Sequence, residues 1–243
     1  MIALFSDFSV DDPYVGLMKL VIYQRAPHCK LVDVCHNLPK FNPNASGRLL
    51  QMLVGDVPAG AIVLAVVDPG VGTDRHPLWL DIDGRHFIGP DNGLFARLVN
   101  AGKDINAHII DYDAENVSAS FHGRDVFAPA AAQIETGNHP ASCSMDVTTM
   151  IGKPWPAELN EIIYIDHYGN AMSGIDDSQI TENLVFKVKG VTFRYRKTFE
   201  SSAQAAPFWY VNSIGLVEFA QYRASIAALH HLKIGDSVSL VSS

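Results

Sequence analysis

Three side chains in the first half of the sequence could do chemistry together: an acid, a guanidinium and an imidazole. Asp68 and Arg75 flank a loop with two glycines and lie seven positions apart, and His122 lies in the segment FHGRD. If the two loops face one pocket, these groups can orient and polarise a water molecule. The alternative is that Asp68 caps the turn after it and pairs with Arg75 at the surface.

The segments before the acids indicate how these side chains are positioned. The run AIVLAVV before Asp68 is continuously apolar, which is typical of a strand buried on both faces of a parallel sheet. Asp7 follows the first predicted strand in the same way, and a carboxylate there can accept both hydroxyls of a ribose. Ligands of such sheets bind beyond the carboxyl ends of the strands. The sequence therefore predicts a ligand site at that edge.

Polar residues also follow predicted strands in the second half. Asp166 and Asn170 come after EIIYI, and Asn212 and Ser213 come after PFWYV. An asparagine can donate to and accept from a base edge, and an aspartate can hold an ammonium group. All four residues are also ordinary turn residues, so both interpretations stay open.

The order of elements predicts two domains. Residues 1–150 alternate strand-like and helix-like segments, which predicts an α/β domain with a mostly parallel sheet. A linker is expected over 151–160. Residues 161–243 consist of short β-branched and aromatic runs cut by turn residues, which predicts an all-β, barrel-like domain. Within it, the alternation in FKVKGVTFRY predicts a hairpin around Lys189 and Gly190.

Composition and charge exclude several classes of protein. The chain has 243 residues, 48% hydrophobic and 18% charged, which is typical of a globular protein rather than a disordered one. A net charge of -8 without a basic stripe argues against nucleic acid as a partner. The absence of a long apolar run or a basic leader predicts a cytoplasmic protein that needs no membrane. Three cysteines and scattered histidines, none in a metal-type spacing, predict no metal.

Six segments carry a resemblance to a known family: SDFS, VDPGVGTDR, GPDNGLF, FHGRDVFAPAAA, IDHYGN and VNSIGLVEFA. In that order they resemble the S-adenosyl-L-methionine (SAM) hydroxide adenosyltransferases, or SAM hydrolases, which are related to the SAM-dependent fluorinase and chlorinase. The resemblance implies an N-terminal α/β domain, a C-terminal β-barrel and a homotrimer with active sites at the subunit interfaces. It also implies that SAM is the substrate, that no cofactor is needed, and that water attacks the ribose C5′ to release adenosine and L-methionine.

The same resemblance implies a role for individual residues. It makes Asp68, Arg75 and His122 the catalytic triad, Asp7 the ribose-binding acid, Asn170 the adenine-binding amide, Asp166 and Ser213 the residues that hold the methionine end, and Phe199 the ring that stacks on adenine. The chain departs from the family where SDFS replaces the more usual Thr-Asp-Phe-Gly, and in the segment QYRASIAALHH.

The expected chemistry fits these residue types. The sulfonium of SAM makes methionine a neutral leaving group, so the site must mainly hold a water in line and exclude other solvent. Our hypothesis is that Asp68 and Arg75 position and polarise the water, while His122 helps to take its proton. A carboxylate at position 68 would repel a halide by about 4 kcal/mol at about 4 Å and an effective dielectric near 20. Water is therefore the expected nucleophile.

Two other functions remain possible from the sequence. The acidic segment SDFSVDD resembles the start of a calcium-dependent nucleoside hydrolase, although it lacks one early aspartate of that class. A sensor that binds SAM or adenosine without turnover would keep the same pocket.

Overall fold

The computed structural model describes residues 1–152, 154–156, 158–199 and 206–241. By its internal contacts the chain divides into two compact units, Met1–Trp155 and Pro156–Ser243. Within the described residues, no helix is long and apolar enough to cross a membrane.

The first unit alternates strands and helices. Its elements are β1 (Ile2–Ser6), α1 (Pro13–Arg25), β2 (Leu31–Cys35), α2 (Pro43–Leu53), β3 (Ile62–Val66), β4 (Pro77–Ile82), β5 (Arg85–Pro90), α3 (Ala96–Ala101), β6 (Ile105–Ile110), α4 (Ala128–Glu135) and β7 (Ser142–Met145).

The sheet of the first unit is mixed, so the prediction of a mostly parallel sheet was wrong. The strand order is β2-β1-β3-β5-β4-β6-β7. The pairs among β2, β1, β3 and β5 are parallel, whereas β4 pairs antiparallel with β5 and β6, and β7 pairs antiparallel with β6. The reason is the two-residue turn at Asp83 and Gly84, both with positive φ. A turn this short joins only antiparallel strands, because a parallel pair needs a long crossover.

The centre of this sheet is buried, which gives the site a rigid base. Every residue of β1 and β3 is buried. Met18 and Ile22 of α1 and the alanines of α4 pack in the same apolar cluster as the alternate residues of both strands. Burying a side chain such as Ile22 contributes about 1.5–3 kcal/mol. The strands therefore hold their carboxyl ends, where Asp7 and Asp68 follow, in fixed positions.

The second unit consists mainly of strands. Its elements are β8 (Leu159–Ile165), β9 (Ala171–Asp176), β10 (Val185–Val188), β11 (Val191–Tyr195), β12 (Phe208–Val211), β13 (Leu216–Ala220), α5 (Ile226–His230) and β14 (Val238–Leu240).

The second sheet is nearly barrel-shaped, as the sequence predicts. Its order is β14-β10-β11-β12-β13-β9-β8, and an isolated bridge from Glu161 to Ser237 brings the two ends together. The predicted hairpin is confirmed, since β10 and β11 pair antiparallel around Lys189 and Gly190, whose φ values are 47° and 84°. The short helix α5 is the one α-helix among the described residues of this unit. The sheet is mixed, because β11 and β12 run parallel.

Candidate active site

Asp68 and Arg75 form a buried, bidentate ion pair. Asp68 lies two residues beyond β3, and the Arg75 side chain returns to it from the end of the glycine loop. Arg75 Nε donates to Asp68 Oδ1 at 3.0 Å and Nη2 donates to Oδ2 at 2.5 Å. Each side chain is 5% exposed, so the pair does not lie at the surface. Two parallel charge-assisted hydrogen bonds fix the plane of the guanidinium.

His122 joins this pair through Arg75. Its Nδ1 lies 2.8 Å from Arg75 Nη2. Because a guanidinium only donates, Nδ1 must be the acceptor and the neutral ring carries its proton on Nε2. Burial, and then the charge of Arg75, lower the pKa of His122 below its ordinary 6.5. His122 is therefore neutral at pH 7, and the lone pair of its Nδ1 accepts the hydrogen bond from Arg75.

One donor of Arg75 is left over. Nη1 is buried and makes no hydrogen bond to any described residue, while the guanidinium carbon lies 5.2 Å from the centre of the Phe127 ring. A buried N–H without a partner costs about 1–3 kcal/mol. A water molecule, or an oxygen of a ligand, is the group that would satisfy such a donor. Because Nε and Nη2 bind Asp68, this free donor lies on the opposite edge of the guanidinium from the carboxylate.

Tight contact between loops brings the triad together. Gly72 has a φ of 78°, and a Cβ on it would lie 2.4 Å from the Ala119 carbonyl oxygen, in the segment that leads to His122. Only glycine allows both the left-handed backbone and this approach. The chain then enters a π-helical turn, Gly123–Phe127, directly before α4. Such turns often occur at functional sites.

Asn92 is a residue that the sequence reasoning missed. Its side-chain Nδ2 donates to the carbonyl oxygen of Val67 at 2.7 Å, and so holds the backbone next to Asp68. The signal in the sequence is the asparagine of the segment GPDNGLF, a polar residue just after a strand.

Asp7 lies at the same edge of the sheet, after β1. Its Oδ2 accepts a hydrogen bond from the backbone N–H of Phe41 at 3.2 Å. Burial raises the pKa of Asp7, and the charge of Asp68 raises it further, so the two carboxylates are within electrostatic range of each other. The sequence-predicted residues of the first unit are therefore grouped at the carboxyl ends of β1 and β3.

Asp166 and Asn170 are paired in the second unit, in the turn between β8 and β9. The backbone N–H of Asn170 donates to Asp166 Oδ1 at 2.8 Å, and Asn170 Nδ2 donates to Oδ2 at 3.0 Å. Asn170 is buried. The turn depends on Gly169, whose φ is 85°.

Glu218 is a second residue that the sequence reasoning missed. It lies in β13, is 3% exposed, and accepts hydrogen bonds from the Tyr210 hydroxyl at 2.5 Å and from Asn212 Nδ2 at 2.8 Å. Burial raises the pKa of Glu218, and the hydrogen bonds from Tyr210 and Asn212 oppose that rise. The signal was a lone charged residue within the apolar run LVEFA.

The other two predicted residues of the second unit are more exposed. Ser213 lies exposed in the turn that joins β12 to β13. Phe199 is 36% exposed, and its ring lies 5.2 Å from that of Phe208 and 5.4 Å from that of Tyr210. An exposed ring that touches other rings can stack on a planar ligand.

The histidine, cysteine and acidic side chains of the described residues include no group of three or more that could hold a metal ion. The three cysteines are all free.

Comparison with known proteins places this chain in a family. The sequence pattern of the SAM hydroxide adenosyltransferase N-terminal domain matches residues 2–144, and that of the C-terminal domain matches residues 160–239. The chain belongs to the SAM hydroxide adenosyltransferase family. The predicted resemblance is thereby confirmed.

Individual relatives agree with this family. The chain is 34% identical over 251 residues to a protein of Thermus thermophilus named (R)-S-adenosyl-L-methionine hydrolase, covering 97% of each chain. It is 23% identical over 292 residues to a fluorinase of an Actinoplanes species, covering 99% of this chain and 97% of the relative. An uncharacterized conserved protein from Thermotoga maritima has the same fold, with a TM-score of 0.83 at 24% identity, covering 99% of this chain and 100% of that protein.

Proposed function

We propose that this protein hydrolyses SAM to adenosine and L-methionine. The observation that carries the proposal is the buried Asp68–Arg75–His122 cluster, in which Arg75 binds the carboxylate and the imidazole at the same time. The name of the Thermus relative, which covers nearly the whole chain, supports the same substrate and reaction.

The cluster acts on a water molecule. A carboxylate oxygen of Asp68 accepts one hydrogen of the water, which directs a lone pair of the water toward the ribose C5′, and Arg75 holds that carboxylate in position. The bond from oxygen to C5′ forms as the bond from C5′ to sulfur breaks. The electron pair of that bond goes to sulfur and leaves methionine as a neutral thioether. The proton of the water passes to Asp68 and from there to solvent.

His122 contributes through Arg75. The hydrogen bond from Arg75 occupies Nδ1, and Nε2 already carries a proton. In this tautomer His122 holds the guanidinium in place, and Asp68 is the proton acceptor. The proposal therefore gives Asp68 the role that we expected His122 to share from the sequence.

The remaining predicted residues bind the substrate in this proposal. Asp7 binds the ribose hydroxyls, Asn170 binds adenine and Phe199 stacks on it, while Asp166 and Ser213 hold the methionine end. The protein acts as a homotrimer with active sites at its subunit interfaces, needs no cofactor, and works in the cytoplasm. Free cysteines support that location, because reducing compartments keep thiols unpaired.

Water rather than halide is the nucleophile. The Asp68 carboxylate repels an incoming anion, and the charge of the bound Arg75 offsets part of that repulsion. At about 4 Å and an effective dielectric near 20, the carboxylate alone would contribute about 4 kcal/mol of repulsion. The fluorinase relative therefore shares the family, but its nucleophile is not expected here.

The test is to incubate the purified protein with SAM in halide-free buffer, with chloride, with fluoride and with EDTA, and to separate the products by chromatography. We expect adenosine and methionine in equal amounts under all four conditions. A 5′-halo-adenosine would make the protein a halogenase. Intact SAM that still binds would make it a sensor, and release of free adenine that EDTA abolishes would make it a metal-dependent nucleoside hydrolase.

A further inference from the structure

Ser6, His36 and Asp33 are joined by hydrogen bonds at the end of β1. Ser6 is the last residue of β1, Asp33 lies in the neighbouring strand β2, and His36 follows that strand. Ser6 Oγ lies 2.8 Å from His36 Nδ1, and His36 Nε2 lies 2.9 Å from Asp33 Oδ1. The same residue types form the catalytic triad of serine hydrolases. Ser6 is only 1% exposed, so no substrate reaches its hydroxyl, and the three residues act on the backbone beside them.

The hydrogen bonds of this network run in one direction. Burial opposes the ionisation of Asp33, but the hydrogen bonds from Lys19 and His36 outweigh it and lower the pKa of this carboxyl. An ionised carboxylate only accepts, so His36 Nε2 carries a proton and donates it to Asp33. In the neutral ring Nδ1 is then the acceptor, and the Ser6 hydroxyl donates to it. Asp33 thereby sets the direction of the Ser6 hydroxyl.

The hydrogen bonds of Ser6 span Asp7, the proposed ribose-binding residue. Ser6 Oγ accepts a hydrogen bond from the backbone N–H of Phe8 at 3.4 Å, while its proton is directed at His36. The carbonyl oxygen of Ser6 accepts from the backbone N–H of Leu38 at 3.0 Å. The peptide group before Asp7 and the peptide group after it are therefore both held by Ser6.

The segment after Asp7 is attached to the same loop between β2 and α2. The backbone N–H of Ser9 donates to the carbonyl oxygen of His36 at 2.7 Å, and that of Phe41 donates to Asp7 Oδ2 at 3.2 Å. Ser9 and Phe41 have φ values of 67° and 57°, which residues other than glycine rarely adopt. Such backbone conformations persist only where surrounding contacts hold them. His36 supplies two of these contacts, one from its ring and one from its carbonyl group.

We propose that Ser6, His36 and Asp33 are positioning residues that hold the Asp7 carboxylate where it binds the ribose hydroxyls, and that the preference of the site for a ribose depends on them. The inference rests on the proposed function, which makes Asp7 the ribose-binding residue. One oxygen of Asp7 is bound to Phe41, so the path of the backbone decides whether the other oxygen faces the ribose. Ser6 acts through that backbone and does not touch the substrate.

The experiment compares the Kd values of adenosine and 2′,3′-dideoxyadenosine by calorimetry, with SAM hydrolysis followed in parallel. The second nucleoside lacks both ribose hydroxyls, so the ratio of the two Kd values reports how well the site recognises them. We expect the wild-type protein to favour adenosine by about 30-fold or more, and Asp7→Ala to remove most of this preference.

Ser6→Ala removes the hydroxyl with little change in volume. We expect it to lower the preference for adenosine by at least about fivefold, whereas Ser6→Thr keeps a hydroxyl and should keep the preference within about twofold. Ser173→Ala is the matched control, because Ser173 is an equally buried serine whose hydroxyl donates to the Val217 carbonyl oxygen at 2.9 Å in the second unit. We expect it to keep the wild-type preference, since it removes a buried hydroxyl without touching the Asp7 backbone.

A folded Ser6→Ala protein that keeps the preference would overturn the inference. A Ser6→Thr protein that loses it, or a Ser173→Ala protein that loses as much as Ser6→Ala, would overturn it as well. If circular dichroism shows that Ser6→Ala does not fold, Asp33→Ala decides instead, because the Asp33 side chain is 44% exposed and its substitution does not open the core. A reduced preference in Asp33→Ala would support the proposal, and an unchanged one would contradict it.

Failure of this inference and failure of the proposed function give different results. If Asp7→Ala loses the preference while Ser6→Ala keeps it, only this inference is wrong. If the wild-type protein hydrolyses SAM but binds both nucleosides equally, Asp7 does not bind the ribose, and the inference fails while the reaction stands. The absence of both hydrolysis and nucleoside binding overturns the proposed function together with the inference.

Discussion

Asp68→Asn is the substitution that most directly tests the proposed mechanism. Asparagine has the same shape, and its Oδ1 can still accept the hydrogen bond that Arg75 Nε donates to Asp68 at 3.0 Å. Its Nδ2, however, stands where Oδ2 accepts from Arg75 Nη2. Two donors then face each other, the negative charge is lost, and the water loses its proton acceptor.

The size of the effect follows from burial. Both side chains are 5% exposed, so solvent neither screens the lost interaction nor replaces it. One unsatisfied hydrogen bond at a buried charge lowers the free energy of unfolding by about 1–3 kcal/mol. Loss of a general base lowers the rate by about 100- to 10,000-fold, so we expect kcat to fall by about a thousandfold, which corresponds to about 4 kcal/mol of barrier.

The assay compares kcat for adenosine release, the Kd for SAM, and the melting temperature of wild type and D68N. Asp74→Asn is the matched control, because it removes one negative charge from the same loop at an exposed position. We expect D74N to keep near wild-type activity. If D68N is folded, binds SAM and retains more than about a tenth of the wild-type kcat, Asp68 is not the proton acceptor and the mechanism fails.

Two further predictions concern the elements that surround Asp68. The pKa of His122 is lowered, so its neutral form stabilises the fold above pH 6.5, and this contribution is lost as the pH falls toward the folded-state pKa. Protonation of Nδ1 would also remove the hydrogen bond that holds Arg75. We therefore expect kcat/KM to decline below pH 6.5 and His122→Asn to remove that decline; an unchanged decline would assign it to another group. Gly72→Ala should lower the free energy of unfolding, measured by urea denaturation, by at least about 2 kcal/mol more than Gly84→Ala. Both glycines have a φ of 78°, but only at position 72 would the added Cβ lie 2.4 Å from a carbonyl oxygen. Equal losses would show that the loop contact is unimportant.

Local patterns in the sequence were sufficient for the type of most elements. The apolar run before Asp68 predicts a buried strand because a strand covered on both faces excludes water along its whole length. The alternation on both sides of Lys189 and Gly190 predicts two paired strands joined by a two-residue turn. Both turn residues have positive φ, as such a turn requires. Six ordered segments were sufficient for the family, whose two domain patterns match the chain.

The direction of the strands could not be predicted in the same way. Periodicity reports which faces are buried and is the same for parallel and antiparallel neighbours. The turn at Asp83 and Gly84 held that information for β4 and β5, but the alternation of helices and strands elsewhere favoured a parallel sheet. The sheet became mixed where short connections replaced helices.

The sequence by itself determined which residue types were available for chemistry and which strand each one follows. Only the tertiary structure decided how they are paired: it brought Arg75 to His122 across 47 positions, left Arg75 Nη1 without a described partner, and paired Asp166 with the Asn170 amide. A hydrogen bond forms only when the donor–acceptor distance is right to within a few tenths of an ångström and the angle is close to linear, and these groups are far apart in the chain. That information lies in the packing of strands and loops, and no spacing along the sequence contains it.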